Sequence, residues 1–177
     1  MGSMNRQWVL AARPIGAVRE TDFRLVETPL RPLAPGEFRI QTLYLGVAAV
    51  MRGYMLNTEQ FERPLAIGDV MHGRGVGRVV ESRHPEYAVG DVVHGKLGWQ
   101  QYAIADGSLY FLMYKVRQRV APVSTALGVL GLTGFTSYLG LVDVGAVRPG
   151  DTVLVSGAAG GVGSVAVAIL AGLGYQV

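Results

Sequence analysis

The spacing of apolar residues divides the chain into a strand-rich part and a helical part. Along the first two-thirds, short apolar or alternating runs are separated by glycine and proline, which is typical of strands and turns. The predicted strands cover residues 8–12, 23–27, 37–46, 75–81, 91–94 and 100–104. Because side chains alternate along a strand, four residues of the third strand are expected on one face, namely Phe38, Ile40, Thr42 and Tyr44. Many short strands joined by glycine turns predict a small β-barrel.

The periodicity changes near residue 120, where apolar residues begin to recur at helical spacing. Helices are predicted at residues 124–131 and 133–144. The apolar face of the second helix consists of Phe135, Tyr138, Leu139 and Val142. The sequence therefore predicts an α/β protein with two domains, a barrel domain over residues 1–118 and a second domain over residues 119–177.

The most informative segment is a predicted apolar strand at residues 153–156, followed by glycines and a helix. Gly157, Gly160 and Gly163 recur at every third position, and a run of small apolar residues follows at 165–170. Glycines at a strand-to-helix turn let the backbone approach a pyrophosphate, and the helix N-terminus favours the anion. An ordinary tight turn is the alternative. The dinucleotide-binding residues are predicted to be Gly157, Ala158, Ala159, Gly160, Gly161, Val162 and Gly163.

The amino-acid composition excludes several kinds of site and partner. Half of the 177 residues are hydrophobic and 16% are charged, as expected for a globular protein. The chain has no cysteine, which excludes disulfides, thiolate catalysis and cysteine-ligated zinc. The net charge of +3 comes with scattered arginines, so we do not expect a nucleic-acid partner. The uncharged stretch at 152–177 contains six glycines and predicts a buried βα unit, not a membrane span. We expect a soluble, cytoplasmic protein.

Each end of the sequence leads to one further prediction. Residues 1–3 precede a second methionine, Met4, and resemble a cloning remnant. In a dinucleotide fold, the acidic residue that contacts the ribose lies about 20 residues beyond the first glycine of the motif. From Gly157 this distance reaches Val177, the last residue. We therefore expect the chain to be the N-terminal part of a longer enzyme, and the choice between NAD and NADP to lie at or beyond Val177.

Several segments resemble the medium-chain dehydrogenase/reductase superfamily, namely residues 131–138, 147–156 and 158–163 after a β-barrel. Residues 50–55 and 78–82 resemble its zinc-free branch of leukotriene/prostaglandin reductases and alkenal double-bond reductases. The resemblance implies a GroES-like β-barrel domain followed by the first part of a Rossmann-type nucleotide-binding domain. It also implies NADPH as the cofactor, with NAD not excluded. Hydride would pass to the β-carbon of an α,β-unsaturated ketone or aldehyde, and the intact enzyme would be a homodimer.

The resemblance also suggests individual site residues. Thr133 and Thr136 resemble positions near the nicotinamide, although a threonine in a helix often bonds a preceding carbonyl group instead. Arg52 and Tyr54 are candidates for contact with cofactor or substrate; a surface arginine and a core tyrosine are the alternatives. The catalytic proton donor is not identified. No metal is expected, because only His72 occupies a position at which zinc-containing relatives carry a ligand.

The leading interpretation is a zinc-independent enone or alkenal reductase acting on a small enone or enal. A quinone oxidoreductase of the same superfamily is a second interpretation, with a quinone as substrate. A third is an inactive fragment, or a non-enzymatic GroES-like module for protein interaction or RNA binding. The scattered arginines disfavour RNA.

Overall fold

The computed structural model describes residues 4–58, 63–117 and 121–177. The chain divides into a strand-rich unit, residues 1–120, which is also called the barrel unit, and a helical unit, residues 121–177. The boundary predicted between residues 118 and 119 lies outside the described residues. No helix of the described part is long and apolar enough to cross a membrane.

The described strands of the first unit are β1 Met4–Leu10, β2 Phe23–Pro29, β3 Phe38–Leu45, β4 Arg74–Ser82, β5 Val92–Lys96, β6 Tyr102–Ala105 and β7 Tyr114–Lys115. They form two antiparallel sheets. One sheet pairs β1 with β2, and the other has the order β6-β3-β4-β5-β7. A four-residue helix, α1, spans Met51–Tyr54 between β3 and β4.

Two irregularities in the pairing of β3 with β4 change which side chains are buried. The register shifts between Arg39 and Ile40 and again between Thr42 and Tyr44. Phe38 and Ile40 are fully buried, but Tyr44 is 48% exposed. The expectation that Tyr44 shares their face of the core is therefore wrong. A bulge inserts an extra residue into a strand and reverses the alternation beyond it.

The core of the strand-rich unit consists of two clusters. The first is built on β3, β4, β5 and β6, with Phe38 and Ile40 at its centre. The second joins the end of β1 to α1 through Leu10, Met51 and Met55, and Trp99 packs against it. Burial of large apolar side chains such as these is the main stabilising contribution to such a unit.

The helical unit differs from the sequence prediction in three places. Residues 123–127 form a short 3-10 helix, and the predicted helix at 133–144 is α2, Leu132–Leu139, continued by a π-helical segment, Gly140–Val144. The predicted strand at 153–156 is absent from the helical unit as described. Next to this segment, Thr152 makes an isolated parallel bridge with Gln176, and the Val153 N–H donates to the Gln176 carbonyl oxygen at 2.9 Å. A strand requires a continuous ladder of hydrogen bonds to a neighbour.

One histidine of the barrel unit is buried without a hydrogen-bond partner for one of its nitrogens. His94 on β5 is 3% exposed, and its ring stacks on Tyr114 with the centroids 4.7 Å apart. No described residue lies within hydrogen-bond distance of its Nδ1 atom. Burial, and then the positive charge of Arg74, lower the pKa of His94 to about 4. His94 is therefore neutral at physiological pH.

Replacing His94 should remove part of the pH dependence of stability. In the unfolded chain the imidazole titrates near its ordinary pKa of 6.5, so acidification favours unfolding as the pH falls from 6.5 towards 4. Between pH 7 and pH 5 the wild-type protein should lose on the order of 1–2 kcal/mol more than His94→Leu does. Urea unfolding of both proteins at the two pH values measures this difference. Equal losses would show that His94 is not held neutral by the fold.

Candidate functional site

The three glycines at positions 157, 160 and 163 form a tight turn at the start of a helix. Gly157 has a positive φ of 63°, which a residue with a side chain rarely adopts. The Gly160 N–H donates to the Gly157 carbonyl oxygen at 2.9 Å and closes the turn. Helix α3 then runs over Gly161–Gly172, with Gly160 as its N-cap. The glycine turn predicted from the sequence is thus present, although the strand before it is not.

Gly163 allows the first turn of α3 to pack against the glycine turn. A Cβ atom at this position would lie 2.3 Å from the Gly157 carbonyl oxygen and 2.9 Å from the Ala158 Cα atom. Both neighbours are backbone atoms, which cannot rotate away as a side chain can. Any other residue at position 163 would therefore displace the helix from the turn.

The N-terminus of α3 is suited to bind an anion. The first N–H groups of a helix lack intrahelical acceptors, and the helix dipole adds positive potential at this end. No side chain of the described part of the chain caps α3, because its N-cap residue is Gly160. Ala158, Ala159 and Gly161 are exposed around it, and Val162 is 44% exposed. These groups together fit a phosphate or pyrophosphate.

Helix α2 packs beside the glycine turn and brings one of the two predicted threonines close to it. The Thr133 Cγ2 atom lies 3.4 Å from where a Cβ atom at Gly161 would be. The Thr136 hydroxyl donates to the Leu132 carbonyl oxygen at 2.8 Å, which is the local bond that a helical threonine commonly makes. Thr133 thus lies at the turn, while the hydroxyl of Thr136 is engaged within its own helix.

Ser137 links the two helices and was not among the predicted site residues. Its side chain is 2% exposed, and its Oγ atom lies 2.9 Å from the Thr133 carbonyl oxygen and 2.8 Å from the Val162 carbonyl oxygen. One hydroxyl therefore connects α2 to the first turn of α3. No sequence signal distinguishes Ser137, because a serine in a helix can also bond its own backbone.

The barrel unit holds the other two candidate residues. Arg52 is exposed, and its guanidinium donates to the Gly16 carbonyl oxygen at 2.6 Å. Tyr54 is half-buried, and its ring meets His72 edge-on with centroids 5.5 Å apart. Among residues 4–58, 63–117 and 121–177, no group of three or more His, Asp or Glu side chains is placed to hold a metal ion.

His72 also lines a cavity of about 700 Å³ in the barrel unit. The cavity has a mixed wall, with apolar side chains together with Lys96, Gln100 and Tyr110. Its volume lies within the range that small-molecule sites occupy.

Comparisons with known proteins agree with this geometry. A family profile described as the N-terminal domain of oxidoreductase matches residues 6–112. NADPH-dependent curcumin reductase of Escherichia coli (strain K12) is 43% identical over 160 residues, covering 90% of this chain and 46% of that protein. Prostaglandin reductase 1 of Bos taurus is 36% identical, with the same two shares covered. The crystal structure of CurA in complex with NADPH from Vibrio vulnificus matches with a TM-score of 0.81 at 40% identity, covering 91% of this chain and 47% of that one.

The chain belongs to the medium-chain dehydrogenase/reductase superfamily. Its relatives place it in the zinc-free branch that the sequence resembles. The fold is accordingly a GroES-like domain followed by part of a Rossmann domain, as predicted. The chain spans about half the length of the curated relatives it matches.

Substitution of Gly163 should be far more damaging than substitution of another glycine in the same helix. Gly163→Ala places a methyl group against backbone atoms and should lower the free energy of unfolding of the helical unit by about 3 kcal/mol. Gly172→Ala, where nothing lies within 4 Å of the new Cβ, should raise stability by up to about 1 kcal/mol. Thermal unfolding of the two variants tests this contrast, and equal effects would contradict it.

Removal of the Ser137 hydroxyl should weaken the contact between α2 and α3. Ser137→Ala leaves the Val162 carbonyl oxygen without this donor and should lower the free energy of unfolding by about 1 kcal/mol. Ser164 is the matched control, since its exposed hydroxyl donates only to Gly161, at 3.2 Å. Ser164→Ala should change stability by less than about 0.5 kcal/mol. Urea unfolding of both variants is the measurement.

Proposed function

We propose that the protein is an NADPH-dependent oxidoreductase that reduces the carbon–carbon double bond of an α,β-unsaturated ketone or aldehyde. The observation that carries the proposal is the glycine turn, with Gly163 packed against Gly157 and the N-terminus of α3 open beside it. The relatives named NADPH-dependent curcumin reductase and prostaglandin reductase support the choice of cofactor and of reaction. Since the chain covers about half of them, the activity is proposed for the protein as a whole.

The residues of the helical unit would hold the pyrophosphate of the cofactor. The backbone N–H groups around the start of α3 would be the donors, apart from that of Gly160, which donates to Gly157, and the absence of side chains at the glycines would permit close approach. Thr133, beside Gly161, would contact the cofactor next to this turn. When bound, NADPH would supply the hydride, and this chemistry itself requires neither a nucleophile nor a metal.

The barrel unit would bind the carbonyl substrate. Its cavity of about 700 Å³ combines apolar walls with His72 and Tyr110, which offer hydrogen-bond donors for a carbonyl oxygen. A donor at that oxygen stabilises the charge that develops when hydride adds to the β-carbon. Tyr54, in contact with His72, would orient that imidazole, and Arg52 lies on the same helix.

A negative charge placed at the glycine turn should raise the KM for NADPH. Ala159 is exposed, so Ala159→Asp should fold normally and oppose the pyrophosphate by charge repulsion. Ala171→Asp introduces the same charge at the exposed far end of α3 and should leave the KM nearly unchanged. We expect at least a tenfold contrast, on the order of 1.4 kcal/mol. It is measured as the loss of NADPH absorbance with a 2-alkenal as substrate.

A panel of three substrates distinguishes an enone or alkenal reductase from a quinone oxidoreductase and from an inactive protein. A 2-alkenal, an enone and a quinone are each mixed with the protein and NADPH, and the products are identified by mass spectrometry. A saturated carbonyl product supports the proposal, whereas turnover of the quinone alone would make the protein a quinone oxidoreductase. Absence of NADPH consumption with every substrate would refute a reductase.

A further inference from the structure

Helix α1 is too short to be stable by itself and depends on bonds from other parts of the barrel unit. It has four residues, Met51–Tyr54, whereas an isolated helix needs about 12–15 residues to be marginally stable in water. The last carbonyl groups of a helix also have no donor within the helix. The position of Tyr54, at the C-terminal end of α1, therefore depends on the groups that bond these carbonyl oxygens.

Two of these carbonyl groups are bonded from distant parts of the chain. The Leu65 N–H donates to the Tyr54 carbonyl oxygen at 3.0 Å. The Arg13 guanidinium donates from Nη1 to the carbonyl oxygen of Met55, the C-cap residue of α1, at 2.8 Å. Its Nη2 atom donates to the Leu65 carbonyl oxygen at 2.9 Å. One side chain therefore joins the end of α1 to the residue that bonds that same end.

The loop that carries Arg13 is also bonded by a side chain of α1. The guanidinium of Arg52 donates to the carbonyl oxygen of Gly16, three positions after Arg13, at 2.6 Å. The side chain of Arg13 is half-buried, and its guanidinium is planar, with N–H groups that point in fixed directions. Its two bonds therefore fix the Met55 and Leu65 carbonyl groups relative to each other.

The residues held by Arg13 lie at the cavity to which the substrate is assigned. Leu65 belongs to the wall of this cavity. Tyr54, next to Met55 in the chain, contacts the ring of His72, another wall residue, with the centroids 5.5 Å apart. A displacement of α1 would therefore move the aromatic partner of one wall residue. A misplacement of about 1 Å in an active site can lower the rate by about a hundredfold.

We propose that Arg13 is a positioning residue of the substrate site. Through the Met55 carbonyl group it holds the end of α1, and with it Tyr54 beside His72. Through the second carbonyl group it holds Leu65 in the cavity wall. Arg13 is not one of the described residues that line the cavity, so its effect on a substrate passes through these neighbours. The inference rests on the proposed function, because it concerns the same substrate site.

Arg13→Gln is the test variant, and Arg83→Gln is its matched control. The Arg83 guanidinium donates to the Leu33 carbonyl oxygen at 2.9 Å, which is a bond of the same kind elsewhere in the barrel unit. Arg13→Gln should lower kcat/KM for a 2-alkenal by about tenfold or more and leave the KM for NADPH nearly unchanged. Arg83→Gln should change neither value. Wild-type kinetics in a folded Arg13→Gln protein, or an equal loss in both variants, would contradict the proposal.

The ring signals of the histidines give a second readout, which needs neither NADPH nor substrate. The chain has three histidines, and the Tyr54 ring lies edge-on to that of His72. Arg13→Gln should therefore shift the NMR signals of the His72 ring and leave those of His84, which packs on Phe38, in place. If the wild-type protein consumes no NADPH with any substrate, the proposed function fails, and these signals still test Arg13. Unchanged His72 signals in the folded variant would overturn the inference.

A milder variant serves if Arg13→Gln does not fold. Arg13→Lys keeps the positive charge, but a single ammonium group does not reproduce the planar fork that bonds two carbonyl groups. It should fold and shift the His72 ring signals, again without a change at His84. Unchanged His72 signals would refute the positioning role. Unfolding of both variants would make Arg13 a requirement of the fold as a whole and would also refute it.

Discussion

The close approach of Gly163 to the Gly157 carbonyl group is the constraint on which the helical unit depends. With 2.3 Å between that oxygen and the position of a Cβ atom, only a glycine lets α3 begin directly at the turn. The same contact fixes the direction in which the first N–H groups of the helix point. It also sets the distance at which the Val162 carbonyl group meets the Ser137 hydroxyl of α2. The packing of the helix, and the anion binding proposed for this turn, thus depend on the same missing side chain.

Much of the helical unit could be predicted from the sequence because the residues that form its turn and helix are neighbours in the chain. The three glycines and the helix after them are adjacent in the chain, and the turn they form requires no distant partner. The segment at 153–156 is different, since its apolar composition predicts a strand but the strand needs a neighbour to pair with. Ser137 could not be predicted for a similar reason. A serine in a helix can bond its own backbone, and only the packing of two helices shows that it also reaches Val162.

Two features of the barrel unit could not be predicted from sequence patterns. Alternation predicted most of the strands, but the bulge of β3 between Thr42 and Tyr44 moves Tyr44 off the face that alternation gave it with Phe38 and Ile40. Arg74 of β4 lies directly opposite Lys96 of β5, and this placement depends on the register between the two strands. A shift by one residue would place Lys96 on the other face. No composition or periodicity argument could therefore have placed these two cations opposite each other.

The two units supply different kinds of recognition. The helical unit offers backbone N–H groups and close packing, which suit a phosphate group common to many nucleotides. The barrel unit offers side chains at its cavity, among them His72, Lys96 and Tyr110, which differ in charge and shape and so can discriminate between substrates. If the proposed function holds, cofactor binding depends on Gly157 and Gly163, where the backbone angle and the close packing exclude a side chain. The proposed choice of substrate would depend instead on side chains of the other unit. This separation is a physical reason why one fold can serve many reductases.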